Sequence, residues 1–356
     1  MIEPYLELRP SFARHETFHP RFGWLRKAVV RSSEYPDVFL RHDATVILGV
    51  GKNMVRAIRY WGTAFGLLVD VPNPAHSRLP HAAPSPLGMA MFSDDGWDPY
   101  LEEPASLWFL HWRLLRPPCL APVWSLVFNK LASLDFSETD LIEFIRDVVA
   151  GSPSWGHVAT SSIKKDVDCL LRMYTTRPKA HEGAEELLDA PFRQLGLLEP
   201  SPDSRSYRFP LTARPSLPDA MIAHATADFL ALSRTPARTA TIPWLAAAPG
   251  GPGRVFKLSE ASLGEALSRY SSSPDAQLTI DSPAGVLQVA LRAEAGATAR
   301  QILERLFTEM TGITHSLVDP PEGGSGAFAG SRSPHSARVD PIPLFGLDTQ
   351  PVRAGV

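Results

Sequence analysis

Between Asp43 and Val71 the order of residue types leaves few folds open. Met54, Ile58, Trp61 and Phe65 recur at three- and four-residue spacing, the period of one helix face. Gly66 follows, where a helix needs a left-handed C-terminal cap. Upstream, Asp43 is an N-cap residue type, and Ala44 to Leu48 is a short helix stopped by Gly49-Val50-Gly51. Leu67 to Val71 then reads as a strand. Short helix, glycine turn, longer helix and strand are the parts of a helix-turn-helix that finishes in a wing. A similar ending returns at Leu195-Gly196-Leu197-Leu198, before a turn at Pro202 to Arg205 and a strand around Tyr207 to Phe209. The expected fold is mainly α (α+β), with tandem winged-helix or helix-turn-helix modules carrying short β-hairpin wings.

Charge sharpens this reading. The whole chain carries a formal charge of −3, which argues against a uniformly basic coat. Yet from Arg9 to Tyr60 there are ten Lys/Arg against four Asp/Glu, and from Ala44 to Val69 there is no carboxylate. A basic patch on an acidic protein is what a localised phosphate-binding face looks like. A recognition helix offers its N-terminal residues to the major groove. Here those are Lys52, Asn53 and Arg56, with Arg59 and Tyr60 one turn on. Asn pairs with adenine and Arg or Lys with guanine, while Arg21 and Lys27 add phosphate contacts. Double-stranded DNA is the expected partner. The alternative is a solvated basic face on a protein-binding winged helix.

The rest of the chain divides by composition. Residues 10–72 form the N-terminal helix-turn-helix domain, with a first helix starting at Pro20. Residues 73–135 are a loop and helical connector: 72–88 hold five prolines, and Leu101 to Phe128 is rich in Trp, Leu and Phe. A second winged-helix-like module spans 136–212, opened by a capping-box variant at Ser137 and Asp140. A C-terminal α/β module spans 213–318. Its helices are expected at Leu217 to Leu232, Glu260 to Tyr270 and Ala299 to Met310, and its hairpin at Gln277 to Ile280 and Val286 to Leu291. Residues 319–356 read as a disordered tail.

No apolar run approaches the roughly 18 residues of a membrane span, and Met1 to Pro10 lacks the apolar core of a secretory leader. Cys119 and Cys169 stand far apart, which excludes a disulfide framework and fits the cytoplasm.

Several motifs invite other chemistry. Gly49-Val50-Gly51-Lys52-Asn53 lacks the spacing and the hydroxyl of a phosphate-binding loop. His15-Glu16-Thr17-Phe18-His19 matches a zinc-protease signature, but Pro20 forbids the continuous helix that signature needs. Asp94, Asp95, Asp98, Glu102 and Glu103 are dense enough in carboxylates to suggest Mg²⁺ or Mn²⁺. That makes Asp95, Asp98 and Glu102 candidate catalytic and metal residues, set against a wet turn with helix capping. His111 reads as a core or interface histidine. Lys164, Lys165, Asp166 and Asp168 read as a solvated helix face.

Several longer stretches carry a resemblance. They are Phe18-His19-Pro20-Arg21-Phe22-Gly23-Trp24-Leu25-Arg26-Lys27 and the run from Leu48 to Trp61, supported by Asp98-Pro99-Tyr100-Leu101-Glu102, Leu107 to Trp112 and Lys165-Asp166-Val167-Asp168-Cys169. Over roughly residues 10–310 the chain looks like a bacterial family first known only as a domain of unknown function. Its members include the SspB-type nickases of single-strand DNA phosphorothioation. The resemblance implies a DNA-nicking endonuclease in anti-phage defence. It also implies work beside a cysteine desulfurase, an ATP-dependent sulfur-transfer enzyme and an ATPase. It transfers no catalytic residue, and a non-enzymatic regulator or targeting subunit is the alternative.

Overall fold

The computed structural model describes residues 7–75, 78–175, 189–201, 206–233 and 237–317. The expected tail at 319–356 and the turn at 202–205 lie outside them.

Helix α1 (Trp24–Glu34) starts four residues later than Pro20 suggests. Gly23 precedes it with φ 75°, a left-handed conformation that ends any continuous helix from Pro20. Helix α2 (Ala44–Leu48) and helix α3 (Lys52–Ala64) follow, separated by the glycine turn. The buried face of α3 is Val55, Ile58 and Trp61, continued by Phe65, while Met54 is only half-buried. The expected stripe is thus rotated toward Val55. Gly62 explains part of this: a Cβ there would lie 2.7 Å from Leu68 Cδ1, so α3 packs closely on the strand that follows.

Strand β1 (Leu68–Val71) pairs antiparallel with β2 (His81–Pro84), placing Leu68 opposite Pro84 and Val71 opposite His81. The proline-rich stretch 72–88 is therefore not all loop. Pro84 ends a strand at the rim of a two-stranded sheet, where a missing N–H costs least. Pro86 opens helix α4 (Pro86–Phe92), whose N-cap Ser85 accepts from the Gly88 N–H. Helices α5 (Pro104–Leu115) and α6 (Pro122–Asn129) are buried on nearly every face, the pattern of a helix at the centre of a core. His111 is wholly buried in α5, its Nδ1 and Nε2 2.8 Å from Tyr174 Oη and 2.9 Å from the Val255 carbonyl.

Strand β3 (Asp135–Ser137) leads into α7 (Glu138–Ala150), where the expected capping box between Ser137 and Asp140 is formed. Helix α8 (Thr160–Tyr174) and a 3-10 turn at Pro191–Leu195 precede β4 (Glu199–Pro200) and β5 (Ser206–Arg208). Gly196 ends that turn with φ 58°, as Gly66 follows α3 with φ 72°. The strands form a sheet in the order β3-β5-β4.

The last third begins with α9 (Asp219–Ala231) and β6 (Thr239–Thr241), then α10 (Ile242–Ala247) and α11 (Pro252–Phe256). Helix α12 (Glu260–Ser271), strands β7 (Leu278–Asp281) and β8 (Gln288–Leu291), and α13 (Ala295–Thr311) complete it. Its sheet runs β6-β8-β7. Both three-stranded sheets thus share one plan: an edge strand, helices, then a hairpin whose second strand is central. One continuous apolar core joins Leu8 to Phe307.

The N-terminal segment is anchored to α8 by a buried pair. His15 Nε2 lies 2.5 Å from Asp166 Oδ1, which also accepts from the Ala13 N–H at 2.8 Å. Both residues are 1% exposed. Asp166 is therefore not on a solvated face, although Lys164 and Lys165 beside it are exposed. Burial opposes a charge on His15, but neighbouring Cys169 and Asp166 outweigh it and lift the imidazole from 6.5 to about 10. The pair holds a proton across neutral pH. His19, the other histidine of the protease-like motif, is pushed down to about 4 by burial. Glu16 and Thr17 between them have positive φ (50° and 70°), so no helix carries both histidines.

Removing one partner of such a pair costs on the order of 3–5 kcal/mol, and His15→Gln is expected to cost that much at neutral pH. A raised histidine contributes fully below its unfolded pKa of 6.5, and the contribution is lost as pH rises through about 10. Urea unfolding at pH 7 and at about pH 9.5 should show wild-type stability falling more steeply than that of the variant. Equal slopes would mean that His15 does not hold the proton.

Candidate nucleic-acid interface

Helix α3 starts after Gly51, which is extended and offers no side-chain cap, and its first turn holds no acid. The N-terminal N–H groups and their dipole therefore face outward unneutralised. Lys52 and Asn53 stand exposed on that turn, and among the described residues neither side chain makes a hydrogen bond or ion pair. Val46 on α2 is 80% exposed, an apolar group beside the same turn in sequence that periodicity did not single out.

The other cations assigned to DNA from sequence are engaged within the protein. Arg59 donates to Asp70 Oδ1 at 3.0 Å and to the Pro80 carbonyl at 2.9 Å, tying α3 to the β1–β2 hairpin. Tyr60 Oη donates to the Leu120 carbonyl at 3.1 Å. Lys27 Nζ donates to the Leu48 carbonyl at 3.0 Å, capping the C-terminal end of α2. Arg21 lies 3.7 Å from Asp189, with its guanidinium over the rings of Phe18 and Trp24. Arg56 reaches Glu16 at 3.3 Å and keeps 28% of its side chain exposed.

Arg14, Arg56 and Arg59 meet Glu16, Asp70 and Tyr60 around a cavity of about 270 Å³ flanking α3. Three guanidinium groups face two carboxylates there, so the lining retains a small positive excess. Arg56, Arg59 and Tyr60, grouped on one helix in the sequence, line this cavity together. Sequence reasoning missed Arg14, Glu16 and Asp70, which come from other segments and had no local signal.

The acidic trio is not gathered into a metal site. Asp98 is 3% exposed, and its two oxygens accept from the N–H groups of Glu102 (2.8 Å) and Glu103 (3.0 Å). Its charge is spent ordering the turn before α5. Asp95 is exposed and accepts from Ser93 Oγ, a bond that lowers its pKa. Glu102 points to solvent, and Asp94 pairs with Arg26. Among the described residues, no three His, Cys, Asp or Glu groups are placed to hold a metal ion. Nor, among them, is any helix long and apolar enough to cross a membrane.

Comparison with known proteins gives this geometry a family. A family model described as "Protein of unknown function (DUF4007)" matches residues 12–307. A magnesium ion-bound SspB crystal structure is similar over 85% of this chain and 89% of that one, with 38% identity and a TM-score of 0.79. A second SspB crystal structure has the same identity and coverage, with a TM-score of 0.77. No protein with a curated description matches the chain. The match over most of the chain and the identity to SspB lead to one conclusion: the protein belongs to the SspB-like DUF4007 family.

Proposed function

We propose that this protein binds duplex DNA through the N-terminus of α3 and is the DNA-nicking component of a phosphorothioation-based defence system. The observation that carries the binding half is the state of Lys52 and Asn53. They are exposed and, among the described residues, without a partner, on the first turn of a helix that follows a short helix and a glycine turn. The hairpin after α3, and the repeated plan of the two later sheets, support a reading as winged-helix modules. In this reading Lys52 and Asn53 make the primary contacts, and Arg56 adds one by exchanging Glu16 for a phosphate. Arg21, Lys27, Arg59 and Tyr60 hold the module in shape.

The nicking half rests on kinship with SspB. Double-stranded DNA is its substrate. A cysteine desulfurase, an ATP-dependent sulfur-transfer enzyme and an ATPase are the partners that kinship suggests. A magnesium or manganese requirement is suggested by the magnesium-bound relative; Asp95, Asp98 and Glu102 are the candidates of this reading, with Asp98 engaged by the Glu102 and Glu103 amides. A second reading is a DNA-binding targeting subunit that cuts nothing itself, which the exposed Lys52 and Asn53 serve equally well.

Lys52→Ala and Asn53→Ala together should weaken duplex binding by about 1–3 kcal/mol, and Lys52→Ala should reduce the salt slope by about one. Fluorescence anisotropy across a salt series measures both, and an unchanged affinity and slope would remove α3 from the interface. Supercoiled plasmid with purified protein, in Mg²⁺, Mn²⁺ or EDTA, separates the two readings. Metal-dependent open circle supports the nickase, and binding without conversion supports the targeting subunit. Asp98→Ala should cost about 1–3 kcal/mol of stability by leaving two backbone donors without their carboxylate. If the variant is instead fully stable and loses metal-dependent cutting, Asp98 belongs to the reaction after all.

A further inference from the structure

A cavity of about 380 Å³ opens between α5, α9 and α13. This is within the size range of small-molecule sites. Its charged lining is strongly biased. Arg113, Arg116 and Arg300 face it together with one carboxylate, Asp228. That carboxylate is already saturated, with Arg116 donating in fork geometry at 2.8 and 3.0 Å and Trp112 Nε1 donating at 2.8 Å. Arg116 and Asp228 cancel, leaving Arg113 as a cation of the lining with no ion-pair partner among the described residues.

Arg113 is the residue of this lining that stands unbonded. Among the described residues its guanidinium makes no hydrogen bond or ion pair, and its Nε is shut away from solvent without a partner. It is nevertheless given room: a Cβ at Gly66 would lie 2.4 Å from Nη2, so only glycine at that corner admits the group. Burial and nearby Arg116 pull its pKa down to about 10, which still leaves it charged at neutral pH. A half-buried cation with a solvent-shielded, unbonded Nε is costly unless an anion completes it.

His224 adds a second, different requirement. It is 5% exposed and lines the same cavity. Its Nδ1 lies 2.8 Å from the Ala299 carbonyl and must donate to it, so the neutral ring presents Nε2 as a bare acceptor. Burial lowers its pKa and keeps the ring neutral. Nε2 has no partner. The site thus offers cationic donors for anionic oxygens and one buried acceptor for a proton. The N–H groups at the start of α13 are not part of the offer, because Glu294 already accepts from Gly296 and Ala297.

We infer that this cavity binds a phosphate monoester group, with Arg113 and Arg300 on its anionic oxygens and His224 Nε2 accepting from its P–OH. A phosphate with a second pKa near 6 still carries that proton in part at neutral pH; a sulfate and an internal DNA phosphodiester do not. Phe109 and the aliphatic wall beside it suit the carbon part of a nucleotide. Two sources share this chemistry: a free nucleoside monophosphate, and the 5′-phosphate at the end or nick of a DNA strand.

Isothermal titration calorimetry with the full chain tests it, using inorganic phosphate, sulfate and a nucleoside 5′-monophosphate. Single-stranded oligonucleotides bearing a 5′-phosphate or a 5′-hydroxyl complete the set. Phosphate should bind and sulfate bind more weakly. A preference for the mononucleotide identifies a free ligand, and a preference for the 5′-phosphorylated strand identifies a DNA end. Arg113→Gln should lower phosphate affinity about tenfold or more, and Arg300→Gln, on the rim, should weaken it without threatening the fold. Lys52→Ala should leave phosphate binding intact, and Arg113→Gln should leave intact-duplex binding intact, which separates this site from the α3 interface. No phosphate binding, equal affinity for sulfate, or unchanged affinity in both arginine variants would overturn the assignment.

Discussion

The buried contact between His15 and Asp166 is the constraint on which the placement of α3 depends. It joins two segments about 150 residues apart, at 2.5 Å, in a site without water access. Around it the rings of Trp61, Trp124 and Tyr60 pack within 6.0 Å of the imidazole. Trp61 and Tyr60 belong to α3, Trp124 to α6 and Asp166 to α8. A protonated imidazole facing aromatic rings and a carboxylate gains from both contacts, and the gain grows as water is excluded. Helix α3 is thereby held by its inward face to the centre of the molecule. Its N-terminal turn is left to project.

The same economy runs through the charged residues. A cation near a basic face either reaches outward or holds the module together, and here most do the second. Arg59 fastens the hairpin to α3, Lys27 caps α2, and Arg116 saturates Asp228. Lys52 on the surface and Arg113 against its cavity, which have no hydrogen-bond or ion-pair partner among the described residues, are the informative ones. They differ in kind. A solvated lysine at a helix start is suited to the backbone of a duplex, whereas a half-buried arginine beside a bare histidine acceptor is suited to a single, specific anion.

Kinship with SspB and the repeated helix-and-hairpin plan sit comfortably together. The later sheets are small, with strands of two to four residues, and they cannot be stable alone. They are carried by helices that share one core, with α5 and α6 buried at its middle. Such an arrangement fixes the relative position of the surface motifs without long sheets.

What the sequence by itself determined was local. The helix-glycine-helix order at 43–66, the capping box at Ser137 and Asp140, and the hairpin near 278–291 all follow from short-range rules of period, cap and turn. These rules act within a few residues, so they are visible without partners. Where they misled, a neighbour distant in sequence or a single backbone angle decided: Gly23 delayed α1, and the partner strand β1 drew residues 81–84 out of a supposed loop. The solvated face read at Asp166 failed, and Asp98 of the acidic cluster orders a turn as the alternative reading had it, for a common reason. The fate of a charge is set by what packs against it, and His15 and the Glu102 and Glu103 amides were supplied by the fold. Lys52 and Asn53 stood out in the sequence, but only the tertiary structure decided that they, and not Arg59 or Lys27, are free to meet a ligand. Ion pairs are long-range and mutually exclusive, and a linear reading cannot allocate them.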